Sequence, residues 1–307
     1  MSGHHLLLLL LPFFSHGVNS ATFTITNNCA YTVWPGLLSG AGTAPLSTTG
    51  FVLDSGQSSA LDVPSSWSGR LWGRTHCTTD PSNSTFSCAT GDCGSGKVEC
   101  SGAGAAPSVT LVEFTMDGSG GLDFFDVSLV DGYNLPVLVS PSAGGSTSGA
   151  GNCSATGCLV DLNDICPSDL RIVLSDSGGQ TVACRSACEA LGTPELCCTG
   201  AYGNPSTCKP SSYSQLFKNA CPRAYSYAYD DATSTFTCLT GVNYVITFCP
   251  TISSQKAGEN NPQAAAVPLI NDTMVFMGVD AGDAGFSTKK FTPAAAVISL
   301  AALWLLF

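Results

Sequence analysis

Histidine is scarce in this chain and badly placed for catalysis. Of four histidines, His4, His5 and His16 fall near the start, and only His76 lies beyond them. Ser-His-Asp and Cys-His nucleophilic systems therefore have little material. A histidine-based zinc site is disfavoured for the same reason. Positive charge is also short: Lys and Arg total 11 against 22 Asp and Glu, a net charge of −11. That balance argues against nucleic acid as a partner. No dinucleotide or kinase signature is present. Gly91 to Lys97, GDCGSGK, copies the first seven positions of a phosphate-binding loop. Val98 stands where Ser or Thr would hold magnesium, and Cys88, Cys93 and Cys100 mark a disulfide loop instead. No cofactor and no metal are expected.

Cysteine, by contrast, is abundant. All 16 cysteines lie beyond the first 20 residues. An even count with irregular spacings, including the adjacent Cys197-Cys198, predicts eight bridges and an oxidising compartment. Spacing alone does not set their connectivity. The start agrees with that compartment. Leu6 to Leu11 and the residues to Ser20 form an apolar run too short to span a membrane, with small residues before Ala21. Residues 1–20 read as a secretory signal peptide. At the other end, small residues Asp280 to Gly285, a polar spacer, and the apolar tail Phe291 to Phe307 form the pattern of a glycosylphosphatidylinositol (GPI) anchor. Attachment is expected at Asp283, with 284–307 removed and 251–283 left as a linker. The expected location is the outer face of the plasma membrane. Sequons stand at Asn83, Asn152 and Asn271.

Residues 21–250 should form one domain with a core large enough to fold, and a monomer is expected. Ala21 to Trp34 alternates and is rich in β-branched and aromatic residues, which predicts a strand pair. Residues 77–100 form a small Gly-rich lobe that only disulfides can hold. A second disulfide-rich lobe spans about 151–222. Within it Ala183 to Leu191 is the best helix candidate, with Leu159 to Ile165 and Tyr213 to Ala220 as others. Strand pattern returns over Ala224 to Cys249.

Val109 to Pro136 carries the candidate chemistry. Two alternating stretches flank Asp117-Gly118-Ser119-Gly120-Gly121, a hairpin turn composition. Apolar faces meet only if Val112 opposes Val127 and Phe114 opposes Phe125. That register sets Glu113 opposite Asp126 on the other face, with Asp131 at the strand end. Opposed like charges are destabilising unless a proton, an ion or an arginine intervenes. Paired carboxylates whose proximity raises one pKa are the material for glycosidic-bond chemistry. The remaining carboxylate candidates are Asp230 and Asp231, and the arginine candidates are Arg70 and Arg74. His76, beside Cys77, reads as a loop position.

With ATFTITNNCAYTVWPG, GRLWGRTHC, FSCATGDC, LDFFDVSLVDGYNLP, CRSACEALGTPELCCTGAYGNPSTC, DDATSTFTC and YVITFCP in place, residues 21–250 resemble the thaumatin-like proteins. Ser84 departs from the Gly of the family signature, and Arg223 from the Asp found in many members. The resemblance implies an all-β fold: a flattened antiparallel sandwich with one large and one small disulfide lobe. It implies bridges Cys29–Cys249, Cys77–Cys88, Cys93–Cys100, Cys153–Cys238, Cys158–Cys221, Cys166–Cys184, Cys188–Cys197 and Cys198–Cys208. It also implies a cleft lined by Arg70, Glu113, Asp126, Asp131 and Asp230, binding β-1,3-glucan in a defence role. Glu113 and Asp131 would be the catalytic pair if the glucan is cut, in a weak endo-β-1,3-glucanase activity. A non-catalytic, membrane-tethered glucan binder or receptor-like protein is the alternative, and an inhibitor of foreign hydrolases is a third.

Overall fold

The computed structural model describes residues 20–142, 152–174 and 178–251. The expected leader, linker and anchor tail lie outside those residues, apart from Ser20 and Thr251, and so do Asn271 and Asp283.

Alternation builds the strands. In β1 (Ser20–Asn27) every second residue from Ala21 is buried. β2 (Trp34–Ser39), β3 (Ser58–Pro64), β4 (Ser68–Thr79), β5 (Phe86–Thr90), β6 (Leu111–Thr115) and β7 (Leu122–Ser128) follow. Then come β8 (Val137–Ser142), β9 (Thr156–Cys158), β10 (Arg171–Val173), β11 (Thr181–Cys184), β12 (Phe236–Leu239) and β13 (Asn243–Phe248). Two sheets face each other. One has the order β3-β1-β13-β8-β9, the other β12-β7-β6-β4-β2 with β5 added to β4. The sandwich is otherwise antiparallel, but β1 and β13 run parallel, with Phe23 beside Tyr244 and Ile25 beside Ile246. Between the sheets Phe23, Phe114, Phe125 and Tyr244 form one ring cluster with centroids 4.3–5.8 Å apart.

The expected strand pair at Ala21 to Trp34 is corrected: β1 and β2 are not partners but belong to opposite sheets. Asn27 turns the chain between them. Its side chain donates to Tyr31 O and Leu53 O, both at 2.8 Å, and accepts from Cys29 N. A buried, fully bonded Asn terminates β1 instead of letting it fold back as a hairpin.

The large lobe holds the β10–β11 hairpin and short helices. Helix α1 (Ala187–Leu191) starts behind the cap Ser186, so Ala183 and Cys184, expected to be helical, end β11 instead. Helix α2 (Pro194–Cys197) follows directly, and α3 (Ser212–Ala220) matches the expected helix closely. Leu159 to Ile165 forms no helix. Asp161 accepts from Asn163 N at 3.0 Å, a local turn that competes with helix hydrogen bonding. A last short helix, α4 (Asp231–Ser234), precedes β12.

Eight disulfides close the described chain: 29–249, 77–88, 93–100, 153–238, 158–221, 166–184, 188–197 and 198–208. Ser84, where the signature glycine would stand, is left-handed with φ 59°. That conformation is costly for any residue with a Cβ and explains why glycine suits the position.

Candidate functional site

The hairpin register derived from the sequence is the one the chain adopts. Val112 opposes Val127, Phe114 opposes Phe125, and Glu113 opposes Asp126. On the other side of β6, Arg70 opposes Glu113. Arg70, Glu113 and Asp126 thus form one row across three adjacent strands, on the face opposite the Leu71, Val112 and Val127 core row. The next outward row, Trp72, Leu111 and Ser128, is partly roofed by the small lobe. Trp72 and Leu111 pack with Cys93, Cys100 and Val109, and Trp72 Nε1 donates to Gly91 O at 2.8 Å. Gly36 lies under that indole, where a Cβ would sit 2.5 Å from the ring.

The uncovered acidic row faces the large lobe across a cavity of about 400 Å³. Asp131 enters from the turn after β7, where its carbonyl accepts from Val109 N at 3.0 Å. Gly132 follows with φ 90°, and a Cβ there would lie 2.7 Å from Cys184 O. Only glycine permits this approach, and it brings Tyr133 into a reciprocal backbone pair with Cys184, both bonds 2.8 Å. Asp131 therefore sits at the point where sandwich and lobe are stitched together. The opposite wall comes from α1, the Cys198–Cys208 bridge, Tyr213 and Phe217 of α3, and the Tyr225 to Tyr227 segment.

Burial dominates the electrostatics. The Glu113 carboxyl is pushed up to about 7, chiefly by desolvation, with Asp131 adding to the rise and Arg70 opposing it. Asp126 is only 4% exposed, and its Oδ1 has no hydrogen-bond partner among the described residues. Its carboxyl is raised well above the ordinary range by burial, then by the Glu113 charge, then by Asp231. Asp131 is raised by burial against the pull of Arg70. A charge on Glu113 makes ionisation of Asp126 harder. The row holds protons that isolated carboxyls would lose.

Four of the expected cleft residues, Arg70, Glu113, Asp126 and Asp131, line the cavity together. Asp230 is not among its lining residues. Its carboxylate is 2.9 Å from Lys218 Nζ and accepts from Ser226 N and Oγ at 3.0 Å, so it anchors the Tyr225 to Tyr227 segment from behind. Of the two arginine candidates, Arg70 lines the cavity, whereas Arg74 is fully buried and donates to Trp34 O and Pro35 O at 2.9 and 3.2 Å. Burial lowers its pKa to about 10. His76 is exposed and lines no part of the cavity. In the Gly91 to Lys97 loop the Asp92 carboxylate accepts from Cys88 N and Gly94 N at 3.2 and 3.1 Å. Its own side chain thus takes amides of the kind a phosphate would need.

Glu189, Tyr213, Tyr225 and Tyr227 also line the cavity and were not expected there. Ser186-Ala-Cys-Glu189 has capping-box spacing, a signal for a local role. The Ser186 cap does accept from Glu189 N at 3.2 Å, but the Glu189 carboxylate accepts from Ser108 Oγ at 2.6 Å across the cavity end.

The Thaumatin family model matches residues 27–250. The chain belongs to the thaumatin family. Thaumatin-like protein 1 of Pyrus pyrifolia is 54% identical to it over 244 residues, covering 79% of this chain and 97% of that protein. A protein of Prunus avium named glucan endo-1,3-beta-glucosidase is 53% identical over 234 residues, 76% of this chain and 92% of that protein. The PR5-like receptor kinase of Arabidopsis thaliana is 53% identical over 257 residues, 83% of this chain but 38% of that protein. The cleft of this thaumatin-family chain is therefore built on a domain shared by proteins of differing overall design.

Proposed function

We propose that the cleft binds β-1,3-glucan at the plant cell surface in a defence role, with slow endo-hydrolysis as its chemical capacity. The observation that carries this reading is the Arg70–Glu113–Asp126 row, opening with Asp131 into a cavity of about 400 Å³ while Glu113 keeps its proton up to about pH 7. Glu113 is then the proton donor to a glycosidic oxygen, and Asp131, drawn toward ionisation by Arg70, is the second carboxylate. The similarity to a relative named as a glucan endo-1,3-beta-glucosidase supports the substrate class. Laminarin depolymerisation tests the chemistry: the wild type should release reducing sugar and Glu113→Gln should lose that release. Equal release by both, or none by either, sinks the hydrolytic form. Retention on insoluble glucan tests binding separately and should be weakened by Asp131→Asn. Wild-type protein that is not retained sinks the binding form.

The non-catalytic, tethered alternative is favoured by the C-terminal pattern and by similarity to part of a relative named PR5-like receptor kinase. On this reading residues 1–20 are removed, Asp283 carries a GPI anchor, 251–283 is the tether, and the protein faces the apoplast as a monomer. Phosphatidylinositol-specific phospholipase C should release it from plant membranes, with 284–307 absent from its peptide map. Membrane-bound protein that resists the enzyme and retains those residues contradicts the anchor. The same peptide map reads glycan mass on Asn83, an exposed turn residue whose Oδ1 accepts from Thr85 N at 2.9 Å.

A further inference from the structure

The outer face of the sheet records where the cleft is covered and where it opens. On β7, Leu122 and Phe124 are half-buried, whereas Asp126 and Ser128, on the same face, are buried. The neighbouring strands repeat the change. On β6, Thr115 and Glu113 are half-buried and Leu111 is buried; on β4, Ser68 and Arg70 are half-buried and Trp72 is buried. The cover thins in one direction across all three strands, away from the small lobe. The cause lies at the outer edge of β7. Its first half pairs with β12, where Phe124 opposes Thr237. Its second half pairs instead with Tyr225, whose N donates to Val127 O and whose O accepts from Leu129 N, both at 2.8 Å. That segment is a wall of the cavity. It is pinned by Asp231, which accepts from the Tyr225 hydroxyl at 2.8 Å, and by Asp230, which accepts from Ser226 N at 3.0 Å. At the Leu111 end, the Glu189–Ser108 bond and the small lobe close the cleft.

A cavity of about 400 Å³ lies toward the small end of the roughly 300–1,000 Å³ typical of small-molecule pockets. A polysaccharide held within its length must run on beyond it, and the uncovered face is the way out. The next row past the acids is Ser68, Thr115, Phe124 and Thr237, about 7 Å further along the strands. None of the four lines the cavity itself. The row carries no charge and sets one aromatic ring among hydroxyls. Gly118 of the hairpin turn lies against the ring, where a Cβ would come within 3.1 Å of it.

We propose that this row is a second subsite of the cleft, in which the Phe124 ring carries the sugar units of a β-1,3-glucan that emerge past the acidic row. A half-buried Phe on a sheet face is common by itself. Its place at the open end, in line with Glu113 and Asp126, is what gives it this role. The C–H face of a pyranose suits the negative face of an aromatic ring, and the flanking Thr237 and Ser68 hydroxyls suit the sugar's equatorial hydroxyls. The inference rests on the polysaccharide reading and adds to it that chain length sets affinity.

Calorimetric titration of the full chain with β-1,3-linked oligosaccharides, from laminaribiose to laminariheptaose, tests it. Wild-type affinity should climb with length. In Phe124→Ala the ratio of heptaose to biose affinity should fall by about tenfold, and Phe124→Tyr should restore it. Phe124→Leu, which keeps apolar bulk but no ring, carries the test if Phe124→Ala does not fold. A loss uniform along the ladder marks Phe124 as structural and overturns the subsite. So does a wild-type affinity that does not depend on length, or a ladder equally steep in wild type and variants; both leave the polysaccharide reading standing. A wild-type dimer in solution that Phe124→Ala dissociates, with the ladder unchanged, assigns the row to a second copy of the chain instead. Wild-type protein that binds no member of the ladder sinks the polysaccharide reading and the subsite with it.

Discussion

The folded protein is expected to be markedly more stable at about pH 5 than at about pH 8, a reversal of the usual behaviour of ion-paired acids. Glu113 supplies the sign. In the unfolded chain its carboxyl ionises above about 4.5, whereas in the fold it does so only near 7. Between those values the native state binds the extra proton, so stability is full below about pH 4.5 and falls as pH rises toward 7. The difference corresponds to roughly 3 kcal/mol. Asp126, Asp131 and the buried Asp123 are raised for the same main reason, burial, and act in the same direction. Urea midpoints at the two pH values check this. The drop should shrink in Asp126→Asn, which replaces a buried acid by a neutral group of the same shape. A midpoint that rises with pH contradicts the account of the cleft as a place where burial outweighs Arg70.

Removing the outermost disulfide should have the largest single effect on stability. Cys29 and Cys249 are separated by 220 residues, and closing a loop of that length in the unfolded chain is worth about 5 kcal/mol. A domain with a net stability of roughly 5–15 kcal/mol has little margin for that loss. The double variant Cys29→Ser/Cys249→Ser should unfold at much lower urea. The Cys93→Ser/Cys100→Ser variant, with a separation of 7, should lose about half as much. Equal losses would show that local packing, rather than loop closure, sets the worth of these bridges.

The sequence carried the centre of the site better than its rim. The pairing of Glu113 with Asp126 followed from alternation alone, because a one-residue slip would bury Asp126 in the core. Arg70 and Arg74 could not be separated by pattern, since both point away from the same sheet face. What separates them is that the small lobe folds over Arg74, whose guanidinium also reaches Val98 O. Asp230 and Asp231 are adjacent, and their different fates depend on Lys218 and Tyr225 arriving from distant parts of the chain. Glu189 was obscured by a local signal that accounts for its backbone amide but not its carboxylate. The missing helix at Leu159 to Ile165 and the split of β1 from β2 have a common cause: Asx side chains satisfy backbone groups locally and end the regular pattern.

The parallel pairing of β1 with β13 has a consequence for synthesis. Of the two neighbours of β1, β3 arrives within a few dozen residues, but β13 is the last of the described strands to leave the ribosome. Until then Phe23 and Ile25 lack Tyr244 and Ile246 beside them, and the five-stranded sheet has a gap in its middle. Contacts of such high sequence separation make folding slow. The nascent domain must wait, with β1 exposed on one edge, for its final residues, a state in which edge pairing between chains is the main hazard. Folding is therefore completed only after translation of the domain, and the chaperones and disulfide-forming enzymes of the compartment receive it whole.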